Sequence, residues 1–150
     1  MKVFAENKKA YFNYQILEKF EAGIVLIGHE VKSIKLGRMN LAGSYVVIRE
    51  NEVFLIGCYI PPYQPRNTPL GYNPERSRKL LLKKSEIKYL IGKSKQKSLT
   101  LVPLKVYTKN RNIKLEFGVG KGKRKADKRE SIKKRETDRK IKKALEGSIE

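Results

Sequence analysis

The alternation of hydrophobic and polar residues predicts a chain built mainly from β-strands. Its clearest stretch has apolar side chains at every second position in 104–109 and again in 113–117, on either side of Asn110-Arg111. A period of two predicts strands buried on one face, and the short polar break predicts a hairpin. A second antiparallel hairpin is predicted from 44–49 and 53–59, around a turn at 50–52.

Two shorter segments predict a strand followed by a helix. The continuous apolar run 24–27 is typical of a strand buried on both faces. In residues 30–36 the apolar positions lie three apart with lysines between them, and Gly37 follows. This spacing predicts a helix of one to two turns that ends at the glycine.

A long connection separates these elements from the last strands. Residues 60–77 contain five of the six prolines, and loops of this length usually bind something or are disordered. Ser85 is then predicted to cap a helix, which Gly92 either ends or weakens. The apolar residues of that helix share one face and are Ile87, Leu90 and Ile91.

The predicted order is five strands with a helix between the third and fourth. This order is typical of an antiparallel β-barrel of the oligonucleotide-binding (OB) type, mainly β with short helices. The fold hosts many functions, so by itself it only favours nucleic acid. Near the N-terminus an aromatic run follows polar residues, and two interpretations stay open: a strand entering the core, or a basic and aromatic surface made of Tyr11, Phe12 and Tyr14.

The charge of the chain indicates a polyanionic partner. Its 35 basic and 15 acidic residues leave a net charge of +20, which is typical of nucleic-acid binding. A membrane is disfavoured, because no run of about 18 apolar residues exists. Charges near the N-terminus argue against a signal peptide, and the single cysteine, Cys58, favours a cytoplasmic protein.

The basic residues are densest in residues 121–143, where thirteen Lys or Arg face four Asp or Glu. With Ile132 and Ile141 as its only sizeable apolar side chains, this arm is predicted to be disordered alone. The glycines at 118, 120 and 122 are predicted to form a flexible joint into it. We therefore expect a β-barrel domain at 1–120 and a basic tail at 121–150.

Candidate catalytic chemistry is sparse. One histidine, His29, and one cysteine form no metal-ligand cluster, so no metal, cofactor or catalytic residue is predicted. Glu30 is the carboxylate of interest, either as a reader of RNA bases or as a helix-start residue. The alternatives to a transient RNA-binding protein are a ribosomal protein that binds rRNA and an RNA-processing enzyme, which would need groups that we do not find.

Several motifs together resemble one protein family. The run 28–33, Gly-His-Glu-Val-Lys-Ser, followed by Gly37-Arg38, Asn40-Leu41 and 44–46, resembles small protein B, the SsrA-binding or tmRNA-binding protein family of bacteria. Further matching blocks extend the resemblance from about residue 7 to residue 145, namely 7–10, 20–26, 78–82, 90–93 and 99–105.

The resemblance implies a non-enzymatic β-barrel protein that escorts tmRNA to stalled ribosomes for trans-translation. One barrel face would bind the tRNA-like domain of tmRNA through Asn7, Lys8, Lys9, Glu30, Lys32, Ser33, Arg38, Asn40 and Lys93. Alanyl-tRNA synthetase and elongation factor Tu would be indirect partners through tmRNA.

The family's tail would enter the decoding centre and mRNA channel of the 30S subunit, against 16S rRNA. The matching residues here are Lys123, Arg124, Asp127, Lys128, Arg129, Ile132, Lys133, Lys134 and Arg135. We expect a helix from about 127 to 145 on the ribosome, because acid-before-base pairs at i, i+4 become effective once RNA phosphates neutralise the cations. Ala126 departs from the family pattern, because many members have a histidine or an aromatic residue at this position, just before Asp-Lys-Arg. Alanine cannot stack on a base as those residues could.

Overall fold

The computed structural model describes residues 1–123 and has seven strands, three α-helices and one short 3-10 helix. The predicted tail helix at 127–145 lies outside the described residues. In chain order the elements are β1 (Val3–Glu6), α1 (Lys8–Asn13), β2 (Tyr14–Ile24), α2 (Gly28–Lys35), β3 (Tyr45–Arg49), β4 (Glu52–Ile56), the 3-10 helix (Pro65–Asn67), β5 (Arg78–Leu81), α3 (Lys84–Ser94), β6 (Leu99–Lys109) and β7 (Asn112–Gly122).

The strands form one antiparallel sheet in the order β1-β6-β7-β2-β5-β4-β3. The sheet curls so that its edge strand β3 lies against β6, around one main apolar core. The core includes Ile34 of α2 and Leu90 of α3, which close it from outside the sheet. The predicted fold, a mainly β antiparallel barrel with short helices, is confirmed.

Both predicted hairpins are confirmed, and each turns on two residues with positive φ. Glu50 and Asn51 have φ of 50° and 63°, and Asn110 and Arg111 have φ of 50° and 66°. Left-handed conformations at both turn positions match the twist of antiparallel strands. The first turn is one residue shorter than predicted, because Glu52 already pairs with Arg49.

The helix predicted at 30–36 is confirmed as α2. It ends as the sequence predicts, because Gly37 has φ of 73° and its N–H donates to the Ile34 carbonyl at 2.8 Å. Such left-handed glycines donate their N–H to one of the last carbonyls of a helix without a Cβ clash.

The strand predicted at 24–27 is wrong. The observed strand β2 ends at Ile24, and Val25 and Ile27 are exposed, at 44% and 42%. The alternating burial of β2 does not show in the sequence, because the apolar Leu17 is 49% exposed whereas the charged Glu18 is half-buried.

Residues 8–13 form neither a strand nor a purely surface segment, and β2 begins only at Tyr14. Lys8–Asn13 are helical, with Ala10 buried and Tyr11 exposed. The strands β1 and β5 were not predicted either. The described residues therefore contain seven strands instead of the five expected. Helix α3 begins at Lys84 rather than after Ser85, because the Glu86 Oε1 accepts the Lys83 N–H at 3.2 Å, and it continues past Gly92 to Ser94.

The glycines at 118, 120 and 122 are not a flexible joint. All three lie in β7, and the first two are buried. A Cβ at Gly118 would lie 2.8 Å from the Ile16 Cγ2 and 2.9 Å from the Glu18 carbonyl oxygen. Glycine therefore permits the close approach of β7 to β2, and the strand extends to Gly122, two residues past the expected domain boundary at 120.

Candidate nucleic-acid interface

A groove of about 460 Å³ lies where α2, the end of β2, β5 and the β6–β7 turn meet. Its floor is apolar and its rim is basic, with Lys35, Arg111 and Lys114, and no carboxylate is among the lining residues of this described region. The remaining lining residues, which with these three define the groove, are Gly23, Ile24, Leu26, Val31, Leu81, Asn112 and Ile113.

Local backbone features place the groove residues. The two-residue turn at Asn110-Arg111 brings Arg111 and Asn112 to the rim. A Cβ at Gly23 would meet the Leu81 Cβ at 3.4 Å and the Lys114 Nζ at 3.8 Å. These are ordinary contact distances, so Gly23 lies directly beside the Lys114 ammonium and Leu81, an apolar side chain that is 55% exposed.

One carboxylate, that of Glu21, stands beside the groove. Glu21 is two residues before Gly23 on β2, and its side chain accepts hydrogen bonds from the Tyr107 hydroxyl and, at 3.4 Å, from the Lys109 Nζ. The Tyr107 hydrogen bond, aided by the charges of Lys109 and Lys114, lowers the pKa of Glu21 below its usual value. The arrangement gives an ionised, partly exposed acceptor within a basic surface.

The burial of Tyr107 supports this geometry. Tyr107 is 3% exposed, and burial together with the hydrogen bond to Glu21 raises the pKa of its phenol. The hydroxyl therefore remains protonated and available as a donor, which fixes one Glu21 oxygen. Within residues 1–123, the other oxygen is hydrogen-bonded to the exposed Lys109, and it can accept a further hydrogen bond from a ligand.

Glu30, the predicted reader of RNA bases, is fully buried, and that role is wrong. Its carboxylate accepts hydrogen bonds from the Ile27 N–H at 2.9 Å, the Tyr72 hydroxyl at 2.9 Å, Arg76 at 2.5 Å and Arg78 at 2.6 Å. With both oxygens engaged and no exposed surface, Glu30 cannot contact RNA. The helix-start interpretation is correct in part, because the Ile27 N–H lies at the beginning of α2.

The Glu30 cluster, defined as Glu30, Tyr72, Arg76 and Arg78, stabilises the fold. Burial alone would raise the pKa of Glu30, but the hydrogen bonds from Arg76, the Ile27 N–H and Arg78 outweigh it and lower that pKa to about 2. Arg78 is also fully buried and donates to the Cys58 and Pro74 carbonyls at 2.6 and 2.9 Å. The cluster thereby fastens the proline-rich loop 60–77 to α2.

Ser33 is likewise buried and structural. Its hydroxyl donates to the Pro61 carbonyl at 2.7 Å, so its predicted contact with RNA is wrong. Lys32, Arg38 and Asn40 are exposed, as an RNA contact requires. The Lys32 Nζ lies 5.5 Å from the centroid of the Tyr63 ring, and the Asn40 side-chain oxygen accepts the Ala42 N–H.

The remaining predicted contacts lie away from the groove. Asn7 donates from its side chain to the Pro103 carbonyl at 3.0 Å, and Lys8 and Lys9 are exposed on α1. The Lys93 Nζ lies 5.6 Å from the centroid of the Tyr89 ring.

Lys123 is the one predicted tail residue within the described range. Its backbone N–H donates to the Asn13 carbonyl at 3.0 Å, and its Nζ donates to the Tyr11 carbonyl. The other predicted tail residues, which lie outside the described residues, are Arg124, Asp127, Lys128, Arg129, Ile132, Lys133, Lys134 and Arg135.

Other chemistry in residues 1–123 is limited. No group of three or more His, Cys, Asp or Glu there could hold a metal ion. Burial raises the pKa of the Cys58 thiol to about 12, so it is not a thiolate at neutral pH. Among the same residues, no helix has the length and apolar character that crossing a membrane requires.

Sequence reasoning missed Glu21, Lys35, Leu81, Arg111 and Lys114. The basic turn at Asn110-Arg111 was visible as a hairpin, but nothing in the sequence brings it beside α2 and β5. Leu81 is the middle residue of three consecutive leucines, and only the register of β5 with β2 shows that it faces outward.

The whole chain matches known proteins. The SmpB protein family model matches residues 4–147. An SsrA-binding protein of Sulfurihydrogenibium sp. (strain YO3AOP1) is 52% identical over 148 residues, which cover 99% of this chain and 97% of the relative. An SsrA-binding protein of Carboxydothermus hydrogenoformans is also 52% identical, over 96% of each chain.

A solved structure agrees with these matches. It is described as "tmRNA-SmpB: a journey to the center of the bacterial ribosome", and one of its chains is 43% identical with a TM-score of 0.66. The match covers 85% of this chain and 92% of that chain. The resemblance drawn from the motifs is confirmed, and the chain belongs to the SmpB protein family.

Proposed function

We propose that this chain binds the tRNA-like domain of tmRNA through the groove and delivers tmRNA to stalled ribosomes for trans-translation. It acts as an RNA-binding protein of the cytoplasm rather than as an enzyme. Its relatives are SsrA-binding proteins, and its net charge of +20 suits an RNA partner.

The observation that supports this function most directly is the combination of groove chemistries. Proteins recognise folded RNA mainly at unpaired loops, whose bases pack on apolar or aromatic surfaces and expose their edges. The apolar floor with the exposed Leu81 suits such a base, and Lys35, Arg111 and Lys114 suit its phosphates.

Glu21 would give the groove its selectivity. A carboxylate repels phosphates, so its presence on a basic surface favours a specific N–H donor such as the edge of an unpaired guanine. Lys32, Arg38 and Asn40, which are exposed on and after α2, would supply further RNA contacts outside the groove lining.

Further parts of the proposal follow from the family. The tail from residue 121 would enter the vacant decoding centre and mRNA channel of the 30S subunit, while residues 1–120 hold tmRNA. Alanyl-tRNA synthetase and elongation factor Tu would act with the protein through tmRNA.

The test compares two pairs of lysine or arginine substitutions in the full-length protein. Arg111→Ala with Lys114→Ala should lower affinity for the isolated tRNA-like domain at least tenfold. It should also reduce the slope of log K against log salt by about 0.7 to 0.9 per lost phosphate contact. Lys84→Ala with Lys88→Ala removes the same charge from α3 and should lower affinity less than threefold. Equal losses of affinity in the two double variants would show that the groove contributes only its general positive charge, and this would contradict the proposal.

A further inference from the structure

Helix α3 carries a basic surface that belongs neither to the groove nor to the Glu30 cluster. Residues 83–97 contain six lysines and one carboxylate, which leaves a net charge of +5. That carboxylate, Glu86, is half-buried and accepts the Lys83 N–H at 3.2 Å, so it is engaged at the start of the helix. No residue of α3 lines the groove. The charge of this segment is therefore mostly unbalanced by carboxylates of its own.

Three of these lysines lie on one stripe of the helix. At about 100° per residue, Lys84, Lys88 and Lys95 project within about 40° of one another, along roughly 16 Å of the helix and its C-cap. All three are exposed. The opposite side packs inward, because Leu90 is fully buried and Ile87 contacts the main core. This outward surface, the α3 ridge, consists of Lys84, Ser85, Lys88, Gly92 and Lys95.

The lysines of the ridge differ from those of the strands in their ion pairs. On β2 and β6, the Lys19 and Lys105 ammonium groups lie 3.7 and 3.8 Å from the two oxygens of Glu116. Within residues 1–123, none of the three ridge lysines forms such a pair. Their ammonium groups are therefore available, as far as the described chain is concerned, to bind phosphates.

Gly92 lies on the ridge, and the described fold gives no structural reason for a glycine there. It stands inside α3, where glycine is less favourable than alanine. Its φ is not in the left-handed region, and a Cβ at this position would meet no atom within 4 Å. What a glycine does provide is backbone that a partner can approach closely, one helical turn after Lys88.

A low surface bordered by cations suits the backbone of an RNA duplex. The minor groove of A-form RNA is wide and shallow, and proteins bind it by shape through phosphates and 2′-hydroxyls. The three lysines suit the phosphates, the bare backbone at Gly92 lets a ribose approach, and Ser85 adds an exposed hydroxyl for a 2′-hydroxyl. An unpaired base fits less well, because the ridge has no aromatic side chain on which it could stack.

We propose that the α3 ridge binds an A-form RNA duplex irrespective of its sequence. This inference goes beyond the proposed function, because it adds a second RNA-binding surface with a different kind of ligand from the unpaired loop in the groove. The duplex comes from tmRNA outside its tRNA-like domain or from ribosomal RNA, and the chemistry at the ridge is the same for both.

The first experiment measures the affinity of the full-length protein for an RNA duplex of about 16 base pairs and for the DNA duplex of the same sequence. Lys84→Ala with Lys88→Ala removes two cations of the ridge. Its matched control, Lys19→Ala with Lys105→Ala, removes the same charge from the strands. The basic tail is present in every variant, so its contribution is common to all of them.

We expect the wild type to prefer the RNA duplex about fivefold, because the ridge contacts 2′-hydroxyls and fits the A-form shape. Lys84→Ala with Lys88→Ala should lower the affinity for the RNA duplex about tenfold. It should also reduce the salt slope by about 1.8, which is about 0.9 for each lost phosphate contact. The control pair should lower the affinity less than threefold. Equal losses in the two pairs, or equal affinity of the wild type for RNA and DNA, would overturn the proposal.

Gly92→Gln separates binding from folding. Glutamine is a better helix former than glycine, so the melting temperature should rise by about 3 °C. The longer side chain covers the bare backbone, so the affinity for the RNA duplex should fall about fivefold with an unchanged salt slope. Gly92→Ala should raise the melting temperature similarly and lower the affinity less than twofold. A Gly92→Gln protein that binds the duplex as tightly as the wild type would overturn the proposal.

Full-length tmRNA and vacant ribosomes identify the source of the duplex. Weaker binding of Gly92→Gln to tmRNA would assign the duplex to tmRNA, and weaker binding to ribosomes would assign it to ribosomal RNA. Unchanged binding to both would overturn the proposal. The affinity for the isolated tRNA-like domain should fall less than threefold in each ridge variant. Failure of the wild-type protein to bind that domain would refute the proposed function separately.

Discussion

Glu21 and Glu30 are two carboxylates in basic surroundings, and their environments differ in every respect that decides their roles. Glu30 is fully buried and both its oxygens are engaged by arginines. Glu21 is partly exposed, and its partners are one buried phenol and one exposed lysine. A buried carboxylate stabilises the fold, whereas an exposed one that is held in place can bind a ligand.

The strongest test of this contrast is Glu30→Gln. The substitution leaves Arg76 and Arg78 without their anion, and breaking a buried ion pair from one side costs about 3–5 kcal/mol. Urea unfolding should show this loss, while Glu21→Gln should change the unfolding free energy by less than about 0.5 kcal/mol. Unchanged stability of Glu30→Gln together with lost RNA discrimination would restore the role predicted from the sequence.

The pH dependence of the unfolding free energy should also distinguish the two carboxylates. The pKa of Glu30 is about 2 in the folded protein and 4.5 ordinarily, so its contribution is complete above pH 4.5. This contribution is lost as the pH falls from 4.5 towards 2, and it amounts to about 3 kcal/mol. Unfolding free energies measured across this range should fall steeply in the wild type and in Glu21→Gln. A Glu30→Gln protein with the same steep fall would contradict the assignment.

Glu21→Gln should weaken RNA binding rather than destabilise the fold. It keeps the shape of the side chain but replaces one acceptor by a donor, so affinity for the tRNA-like domain should fall about tenfold, or roughly 1.4 kcal/mol. The loss should concentrate on RNA with the native loop sequence. Removal of a negative charge would otherwise strengthen binding to any RNA, and stronger binding to all RNAs would refute base readout.

The smallest effect is expected from Tyr107→Phe. It removes only the hydroxyl that fixes Glu21, so affinity for the tRNA-like domain should fall two- to fivefold, within the range of one hydrogen bond. The pKa of Glu21, measured by NMR titration, should rise towards its ordinary value. In the Glu21→Gln background the same change should have little effect, and full additivity of the two would show that Tyr107 acts independently.

The sequence predicted the elements whose signals are local. Both hairpins and α2 were found, because alternation, turn residues and the terminal glycine lie within a few positions of one another. β2 was missed because Leu17 is exposed and Glu18 is half-buried, so polarity and burial disagree in the middle of the strand.

β5 and the Glu30 cluster were missed for a different reason. β5 buries Arg78 and exposes Leu81, the reverse of what their polarity suggests, because Arg78 has its partner 48 residues away. No local pattern reports such a partner. Local patterns also do not reveal the groove, because its residues come from α2, β2, β5 and the β6–β7 turn. Nor do they reveal why residue 118 is a glycine, since the cause is the close approach of β2 to β7.

The long separation between Glu30 and Arg78 has a kinetic consequence. Closing a loop of 48 residues costs about 3 kcal/mol of chain entropy, which a single ion pair does not offset in an otherwise unfolded chain. The cluster must therefore form after the β3–β4 hairpin and β5 have paired, late on the folding route. Interactions that form late act mainly on unfolding, so the Glu30 cluster should slow the opening of the native barrel and leave its folding rate nearly unchanged.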